Sequence, residues 1–205
     1  FQKLHFENAG GTDLWVELVK NHLWAGGSEK TVAGVEFNPN MPTEEIFTMP
    51  KKTGVNGKVY ATKPLDYNGT LIEDFWFLFQ DGKVIDFGAE KGYDTLFSLV
   101  HFDEGSCYLG EVALVPYESP ISKSGILFLN TLFDENASCH LALGDAYPMN
   151  VAGGVDMSEE QLKEAGANHS MTHVDFMFGS PDMKITGVCE DGCEVAVFEQ
   201  GNFVF

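Results

Sequence analysis

An aromatic segment followed by a two-residue turn is the strongest constraint on how this chain folds. Residues 74–79 read Asp-Phe-Trp-Phe-Leu-Phe, Asp81-Gly82 follows, and residues 83–87 are again rich in β-forming side chains. Asp-Gly between two such runs is typical of a type I′ turn, whose twist matches that of two antiparallel strands. The sequence therefore predicts a β-hairpin here.

Short strand-like segments separated by glycine and proline turns recur along the rest of the chain. They cover residues 3–6, 14–19, 32–37 and 58–62, and a meander over residues 173–205. A proline-stiffened loop at 38–42 interrupts them. Helices are predicted from about Glu90 and over 158–165, where Ser158 and Gln161 form a capping-box pattern.

These elements predict an α+β fold with a mainly antiparallel, curled or barrel-like mixed sheet and a few helices. At 205 residues the chain is expected to form a single domain over residues 1–205. Because it begins at Phe1 in strand-like sequence without a methionine, we expect an excised domain.

Composition limits the classes of partner. The formal net charge is −19, from 31 acidic and 12 basic residues, which disfavours nucleic acid as a ligand and attracts cationic groups, although acidity is also a common route to solubility. No apolar run is long enough to span a bilayer and no leader is present, so we expect no membrane association and a cytoplasmic location. The four cysteines are expected as free thiols, although Cys189 and Cys193 bracket a turn and could pair.

The segment Thr-His-Val-Asp-Phe at 172–176 carries the clearest chemical signal. It reads as a strand, so His173 and Asp175, two positions apart, project from the same face. An imidazole and a carboxylate aimed into one space provide half of a metal site, because a catalytic zinc usually takes at least three protein ligands.

The other histidines differ in their surroundings. His5, His22 and His101 lie in amphipathic segments and are expected to be structural or at the surface. His169 and His173 have the spacing of a helical zinc pair, but Gly166 indicates that the helix has already ended. His140 closes a polar segment, 134–140, between apolar runs, and polar groups in such surroundings need partners such as a metal.

Two acidic residues resemble His140 in their context. Glu45 follows the proline loop and is adjacent to Glu44, while Glu111 is the only charged residue in an eight-residue apolar stretch. Glu111 is thus either a surface-facing strand residue or a buried functional carboxylate, and composition alone leaves both open.

Four blocks of the chain together resemble a known family. They are NPNMPTEE (38–45), LGEVALVP (109–116), SGILFLNTLFDENASCHLALGDAY (124–147) and HVDFMFGS (173–180). They are similar, in the same order, to the carboxy-terminal domain of the thermophilic metalloaminopeptidase family, of the aminopeptidase T and aminopeptidase S type. The resemblance covers nearly the whole chain and implies five metal ligands, which are Glu45, Glu111, His140, His173 and Asp175.

The resemblance also implies an activity. Two divalent metal ions, Zn²⁺, Co²⁺ or Mn²⁺, would activate a water that hydrolyses the first peptide bond of substrates with a free amino terminus. By analogy with other two-metal aminopeptidases, Glu44 is the expected general base, and Tyr147 is expected to hydrogen-bond the oxyanion, a contribution of about 3 kcal/mol. The family is further expected to be homodimeric and to carry an amino-terminal domain, of which this chain has no trace.

Two alternatives remain at this point. A serine hydrolase using Ser122 or Ser124 with Lys123 lacks the nucleophile elbow GxSxG. A catalytically incomplete metal-binding or dimerisation fragment is the alternative from a different functional class, because half of the substrate chamber would be missing.

Overall fold

The computed structural model describes residues 1–39 and 42–205, so Asn40 and Met41 of the predicted proline loop lie outside the described residues. The strands are β1 (Lys3–Glu7), β2 (Asp13–Leu18), β3 (Glu29–Lys30), β4 (Glu36–Phe37), β5 (Ile46–Thr48), β6 (Pro50–Tyr60), β7 (Leu65–Tyr67), β8 (Thr70–Ile72), β9 (Trp76–Gln80), β10 (Lys83–Gly88), β11 (Leu109–Leu114), β12 (His140–Gly144), β13 (His173–Met177), β14 (Lys184–Val188), β15 (Glu194–Glu199) and β16 (Asn202–Phe203). The α-helices are α1 (Tyr93–Val100), α2 (Pro120–Ser124), α3 (Thr131–Asp134) and α4 (Glu159–Ala165).

Eight strands form one antiparallel sheet in the order β10-β9-β6-β2-β1-β14-β15-β16. The predicted aromatic hairpin is confirmed as β9 and β10, and Asp81 and Gly82 have φ angles of 48° and 82°, as a type I′ turn requires. One face of the sheet is apolar and buried, as Leu4 and Phe6 on β1 illustrate. This face forms one side of the core.

A second antiparallel sheet, in the order β13-β12-β11-β5, packs against the first. Its inner face contributes Val112, Leu141 and Phe176 to the same core, where the ring of Phe176 lies 5.0 Å from that of Phe77. The outer face of this four-stranded sheet is the one that carries polar side chains. Alternate side chains of a strand point to opposite faces of the sheet. One set therefore packs in the core, and the other set is available for a functional site.

Several strand predictions need correction. The strand predicted over 32–37 is reduced to β4, because Gly34 has a φ of 79° and only Glu36–Phe37 pairs with β3. The strand predicted over 58–62 is the end of β6, which begins at Pro50. In the predicted meander, β14, β15 and β16 pair in sequence, but β13 belongs to the second sheet, because it pairs with β12.

Both predicted helices are confirmed. Helix α1 lies within the segment that starts at Glu90, and α4 begins with the predicted capping box between Ser158 and Gln161. Gly166 caps α4 with a φ of 101°, so the helix ends before His169. No helix in the described part of the chain has the length and apolar character needed to cross a bilayer.

The fold is α+β with antiparallel sheets and few helices, as predicted. Only the barrel-like alternative is corrected, because the described strands close no barrel and divide into two packed sheets and two small hairpins. Every pair among them is antiparallel. All four cysteines are free thiols.

Candidate metal centre

Five of the predicted site residues converge on the outer face of the four-stranded sheet. Nε2 of His140 lies 2.9 Å from Oε2 of Glu45 and 3.4 Å from Oε1 of Glu111. Nε2 of His173 lies 3.3 Å from Oδ1 of Asp175 and 3.8 Å from Oε2 of Glu111. These five side chains, the acid-histidine cluster, form two groups of three that share Glu111, with ligand atoms in each group within 4.8 Å of one another.

The antiparallel register explains why these side chains meet. On the central strand β12, His140 and Ala142 share a face because they are two residues apart. Glu111 lies opposite Ala142 on one side, and Asp175 lies opposite it on the other. Because Ala142 carries only a methyl group, the two carboxylates can approach each other above the strand.

Gly144 is needed at the end of β12. It pairs with His173 and has a φ of 112°, and a Cβ atom there would lie 2.0 Å from the carbonyl oxygen of Thr172. A larger residue would therefore push β13 away and displace His173.

Both histidines are oriented by backbone carbonyl groups. Nδ1 of His140 lies 3.2 Å from the carbonyl oxygen of Ser138, and Nδ1 of His173 lies 2.8 Å from that of Asp145. A carbonyl oxygen only accepts hydrogen bonds, so Nδ1 is the donor in each case. In the neutral tautomer Nε2 then presents its lone pair to the cluster, as in metal-ligating histidines.

Burial and charge act together on the acid-histidine cluster. Burial raises the pKa of Glu111, and the nearby imidazole of His140 offsets only part of that rise. Burial lowers the pKa of His140, but Glu111 and Glu45 outweigh it and hold the pKa well above its ordinary value. Burial alone would lower the pKa of His173, but Asp175 outweighs that effect and raises the pKa to about 9. Burial would raise the pKa of Asp175, but the adjacent imidazole of His173 leaves it lowered.

Glu135 is a sixth titratable group at this site that the sequence analysis missed. It lies in a 3₁₀ turn, Glu135–Ala137, is 7% exposed, and has a carboxylate oxygen within 4.8 Å of ligand atoms of His140 and Asp175. Burial and then the charge of Asp175 raise its pKa to about 8. The signal for Glu135 is the same as that for His140, because both lie in the polar segment 134–140 between apolar runs.

The two residues predicted for catalysis differ in position. Tyr147 lines the cavity beside the cluster, and its ring lies 4.7 Å from the ring of His173. Glu44 is fixed through its backbone, whose N–H donates to Oδ1 of the buried Asn136 at 2.6 Å. Its neighbour Glu45 lines the cavity and Glu44 does not, so the role of Glu44 as a base stays a prediction.

The remaining histidines lie elsewhere. His169 is exposed and pairs with Asp145 at 2.9 Å, outside the acid-histidine cluster, so the helical zinc pair is not formed. His5 pairs with Asp13 on the sheet surface, and His22 and His101 each bond a backbone carbonyl oxygen.

The serine hydrolase alternative gains no support from the structure. Ser122, Lys123 and Ser124 lie on α2, where Lys123 pairs with Glu118 at 3.4 Å and Ser124 donates to a backbone carbonyl oxygen. None of the three is among the described residues that line the cavity at the acid-histidine cluster.

Residues of the cluster line a cavity of about 630 Å³, a volume typical of small-ligand sites. Four carboxylates of the lining, those of Glu45, Glu111, Glu135 and Asp175, lie at the cluster, together with one lining histidine, His173. A fifth carboxylate, that of Glu29, and apolar side chains also line the cavity; the large apolar ones are Leu23, Trp24, Phe47, Leu132 and Met149. The cavity can therefore hold a ligand that carries both a cationic group and an apolar group.

Comparison with known proteins identifies a family of metal-dependent enzymes. Residues 1–203 match the family described as thermophilic metalloprotease (M29). The chain is 56% identical to aminopeptidase AmpS of Bacillus subtilis over all of its own length and 50% of that protein. It is 46% identical to aminopeptidase T of Thermus thermophilus, again over about half of that protein. The chain thus spans about half the length of these curated relatives.

Two solved structures are also similar. Wild-type AmpT from Thermus thermophilus superposes with a TM-score of 0.94 at 45% identity, covering 100% of this chain and 50% of that one. The 2,5-dihydroxypyridine dioxygenase from Pseudomonas putida KT2440 superposes with a TM-score of 0.63 at 14% identity, covering 99% of this chain and 55% of that one. At that identity the second likeness shows a shared fold alone.

Proposed function

The chain belongs to the thermophilic metalloprotease family M29, and on that premise we propose that it is the metal-binding part of an aminopeptidase that removes the first residue of peptides. The observation that carries the proposal is Glu111, whose two carboxylate oxygens face two different histidine-containing groups. A carboxylate shared in this way is what a two-metal hydrolytic site uses.

The donor set fits divalent metal ions. Oε2 of Glu45, Nε2 of His140 and Oδ1 of Asp175 are buried and lack a partner with hydrogen-bond geometry in the described part of the chain. The 2.9 Å contact between His140 and Glu45 is close enough for an ion pair but not aligned as a hydrogen bond. Buried polar atoms left in this state are costly, and a cation is a partner that satisfies all of them.

We assign the five residues to two ions that share Glu111. Glu45, Glu111 and His140 would hold one, and Glu111, His173 and Asp175 the other. Carboxylate and imidazole donors suit Zn²⁺, Co²⁺ and Mn²⁺ alike. When bound, such ions polarise a carbonyl group and bring the pKa of a water molecule toward neutrality.

The surrounding residues of the chain handle the proton and the developing charge. Burial raises the pKa of the Tyr147 phenol above its ordinary value, so Tyr147 keeps its proton and can donate a hydrogen bond to the oxyanion. A general base must reach the proton that it accepts. Glu135 lines the cavity and is therefore a second candidate for that role beside Glu44.

The carboxylates at the acid-histidine cluster give a reason for cleavage at the amino end. The ammonium group of a peptide is attracted to the carboxylates, whereas a blocked amine carries no charge. A homodimer, from the family resemblance, and a cytoplasmic location, from the composition of the sequence, are further expectations.

The test uses the metal-loaded full-length protein and two substrates, leucyl-p-nitroanilide and its N-acetyl derivative. We expect hydrolysis of the first, loss of that activity with a chelator, and no hydrolysis of the acetylated substrate, because it lacks the free ammonium group. Equal cleavage of both substrates would contradict an aminopeptidase. Activity that survives complete removal of metal would contradict the metal-dependent mechanism.

Replacing Tyr147 with phenylalanine is expected to lower kcat about 100-fold and to leave KM within a few-fold, because the phenol acts on charge that develops in the transition state. The ring is retained, so the contacts with His173 and Phe47 should persist. Metal content, measured by elemental analysis, serves as the control and should not change. A kcat within about threefold of wild type would remove Tyr147 from the mechanism.

The half-length match supports a second possibility, that residues 1–205 alone bind metal without activity. In that case the isolated chain and the full-length protein would bind the same number of ions, while only the full-length protein would turn over substrate. Comparing metal content and kcat for the two proteins separates this fragment from an active one.

A further inference from the structure

We propose that an apolar wall of the cavity receives the side chain of the substrate's first residue, and that buried Asn150 is the positioning residue that holds this wall beside the acid-histidine cluster. The wall consists of Leu23, Trp24, Phe47 and Met149. The inference rests on the proposed function and extends it to the class of substrate, peptides that begin with an apolar residue.

Phe47 places the start of the wall next to the cluster. It lies on β5, two residues after Glu45, and side chains two residues apart in extended chain share a face. Both side chains accordingly line the cavity. The ring of Phe47 lies 6.1 Å from that of Tyr147, which in turn lies 4.7 Å from that of His173. A substrate whose ammonium group lies at the carboxylates therefore has its first side chain within reach of this aromatic surface.

The segment at residues 23–25 extends the wall sideways. Ala25 and Phe47 form an antiparallel bridge in which each N–H donates to the other's carbonyl oxygen at 2.9 Å. This pairing adds the segment to the edge of β5, so that Leu23 and Trp24 continue the apolar surface. Trp24 also packs against the main core, and this contact holds its ring in place in the wall.

Asn150 joins the parts of the wall. Its side chain is 1% exposed, and Nδ2 donates to the carbonyl oxygens of Leu23 and Phe47, each at 3.2 Å. Its own carbonyl oxygen accepts from the N–H of Leu23 at 2.7 Å. Met149 is the preceding residue, so one buried amide fixes all three segments of the wall. Without Nδ2, the carbonyl oxygen of Phe47 would lose the side-chain donor that ties it to Leu23.

The charge distribution separates an apolar preference from a basic one. Four of the five carboxylates that line the cavity lie at the acid-histidine cluster, and the fifth, Glu29, is exposed. Water screens an exposed carboxylate, so Glu29 attracts a basic side chain only weakly. The four residues of the wall are all apolar, and an apolar pocket discriminates by size and polarity.

The test measures kcat/KM of the metal-loaded full-length protein for leucyl-, glycyl- and arginyl-p-nitroanilide. We expect the leucyl substrate to be preferred over the glycyl one by roughly 100-fold and over the arginyl one as well. Leu23→Ala should lower the value for the leucyl substrate roughly 10-fold and leave the glycyl value unchanged. Leu129→Ala is the matched control, because Leu129 is 53% exposed, close to the 47% of Leu23, and does not line the cavity.

Asn150→Asp tests the positioning role, because it keeps the size of the side chain and removes the two donated hydrogen bonds. We expect the leucyl preference over glycyl to fall while two metal ions stay bound, a change that general loss of stability would not produce. An unchanged preference in a folded Asn150→Asp protein would refute the positioning role. Two results would refute the proposed role of the wall. One is a preference for the arginyl substrate, and the other is a Leu23→Ala effect that is equal on the leucyl and glycyl substrates.

Binding provides a readout independent of turnover. Leucinol and ethanolamine keep the free amine and the side chain of leucine and glycine but have no amide bond to cleave, and they are titrated into the metal-loaded protein by calorimetry. The fluorescence of Trp24 is a local reporter, and Trp24→Phe identifies its signal. Tighter binding of leucinol, lost in Leu23→Ala, supports the wall even if no anilide is hydrolysed and the proposed function fails. Equal binding of both amino alcohols overturns the wall even if every anilide is hydrolysed.

Discussion

Replacing Glu111 with glutamine is expected to abolish the proposed aminopeptidase activity, with a fall in kcat/KM of roughly 10³-fold or more, since metal ions supply several kcal/mol of transition-state stabilisation. The reason is geometric. Oε1 of Glu111 faces His140 and Oε2 faces His173, so one side chain belongs to both groups of the acid-histidine cluster. Glutamine offers one neutral oxygen in place of a charged pair and cannot serve both groups.

The number of bound metal ions should distinguish Glu111 from the other proposed ligands. Glu45→Gln and Asp175→Asn each alter one group only, so each should reduce bound metal from two ions to one, whereas Glu111→Gln should remove both. Glu164→Gln is the control, because Glu164 is exposed on α4 and does not line the cavity at the acid-histidine cluster. Elemental analysis after desalting gives the counts. If Glu111→Gln retains two ions, the shared-carboxylate assignment is wrong.

The part of the site that could be predicted from the sequence is the part that depends on local geometry. Strand alternation alone places His173 and Asp175 on one face, and β13 has that alternation. The other three proposed ligands, Glu45, Glu111 and His140, follow only from the family resemblance. Glu111 illustrates why, since an isolated acid in an apolar run is compatible with either face of a strand, and only the pairing of β11 with β12 decides that it lies across Ala142 from Asp175.

Long-range pairing also explains what could not be predicted about the fold. The turn signals of the last segment are local and correctly mark the hairpins of β14, β15 and β16. They contain no information about which sheet β13 joins, because that depends on a partner, β12, about thirty residues earlier. The same limit applies to Glu135, which lies in an irregular turn where no periodicity reports the direction of a side chain.

Removal of metal is expected to destabilise the protein, because ions that bind only the folded state add RT ln(1 + [L]/Kd) to the free energy of unfolding. At a free metal concentration 1,000 times Kd, one site contributes about 4 kcal/mol, which corresponds to a Tm shift of about 8 to 16 °C for a domain of this size. Scanning calorimetry with metal and with a chelator measures the shift. Glu111→Gln is the control and should show almost none.

The size of this shift should grow as the pH rises from 6 to 9. In the metal-free protein the folded-state pKa of Glu135 is raised to about 8 and that of His173 to about 9, so folded protein binds more protons than unfolded protein over this range. Stability from a raised pKa is fully present below the unfolded pKa and is lost as the pH passes through the folded one, so the metal-free protein weakens toward pH 9.

Bound metal removes that loss, because it takes the deprotonated forms of the ligands and neutralises their repulsion. The difference in Tm between metal-loaded and chelated protein should therefore be larger at pH 9 than at pH 6. Glu135→Gln should flatten the pH dependence of the chelated protein, because it removes a carboxyl group that loses its proton in this range. A shift that shrinks as the pH rises would mean that protons and metal do not compete at the acid-histidine cluster, and the assignment of its residues as ligands would fail with it.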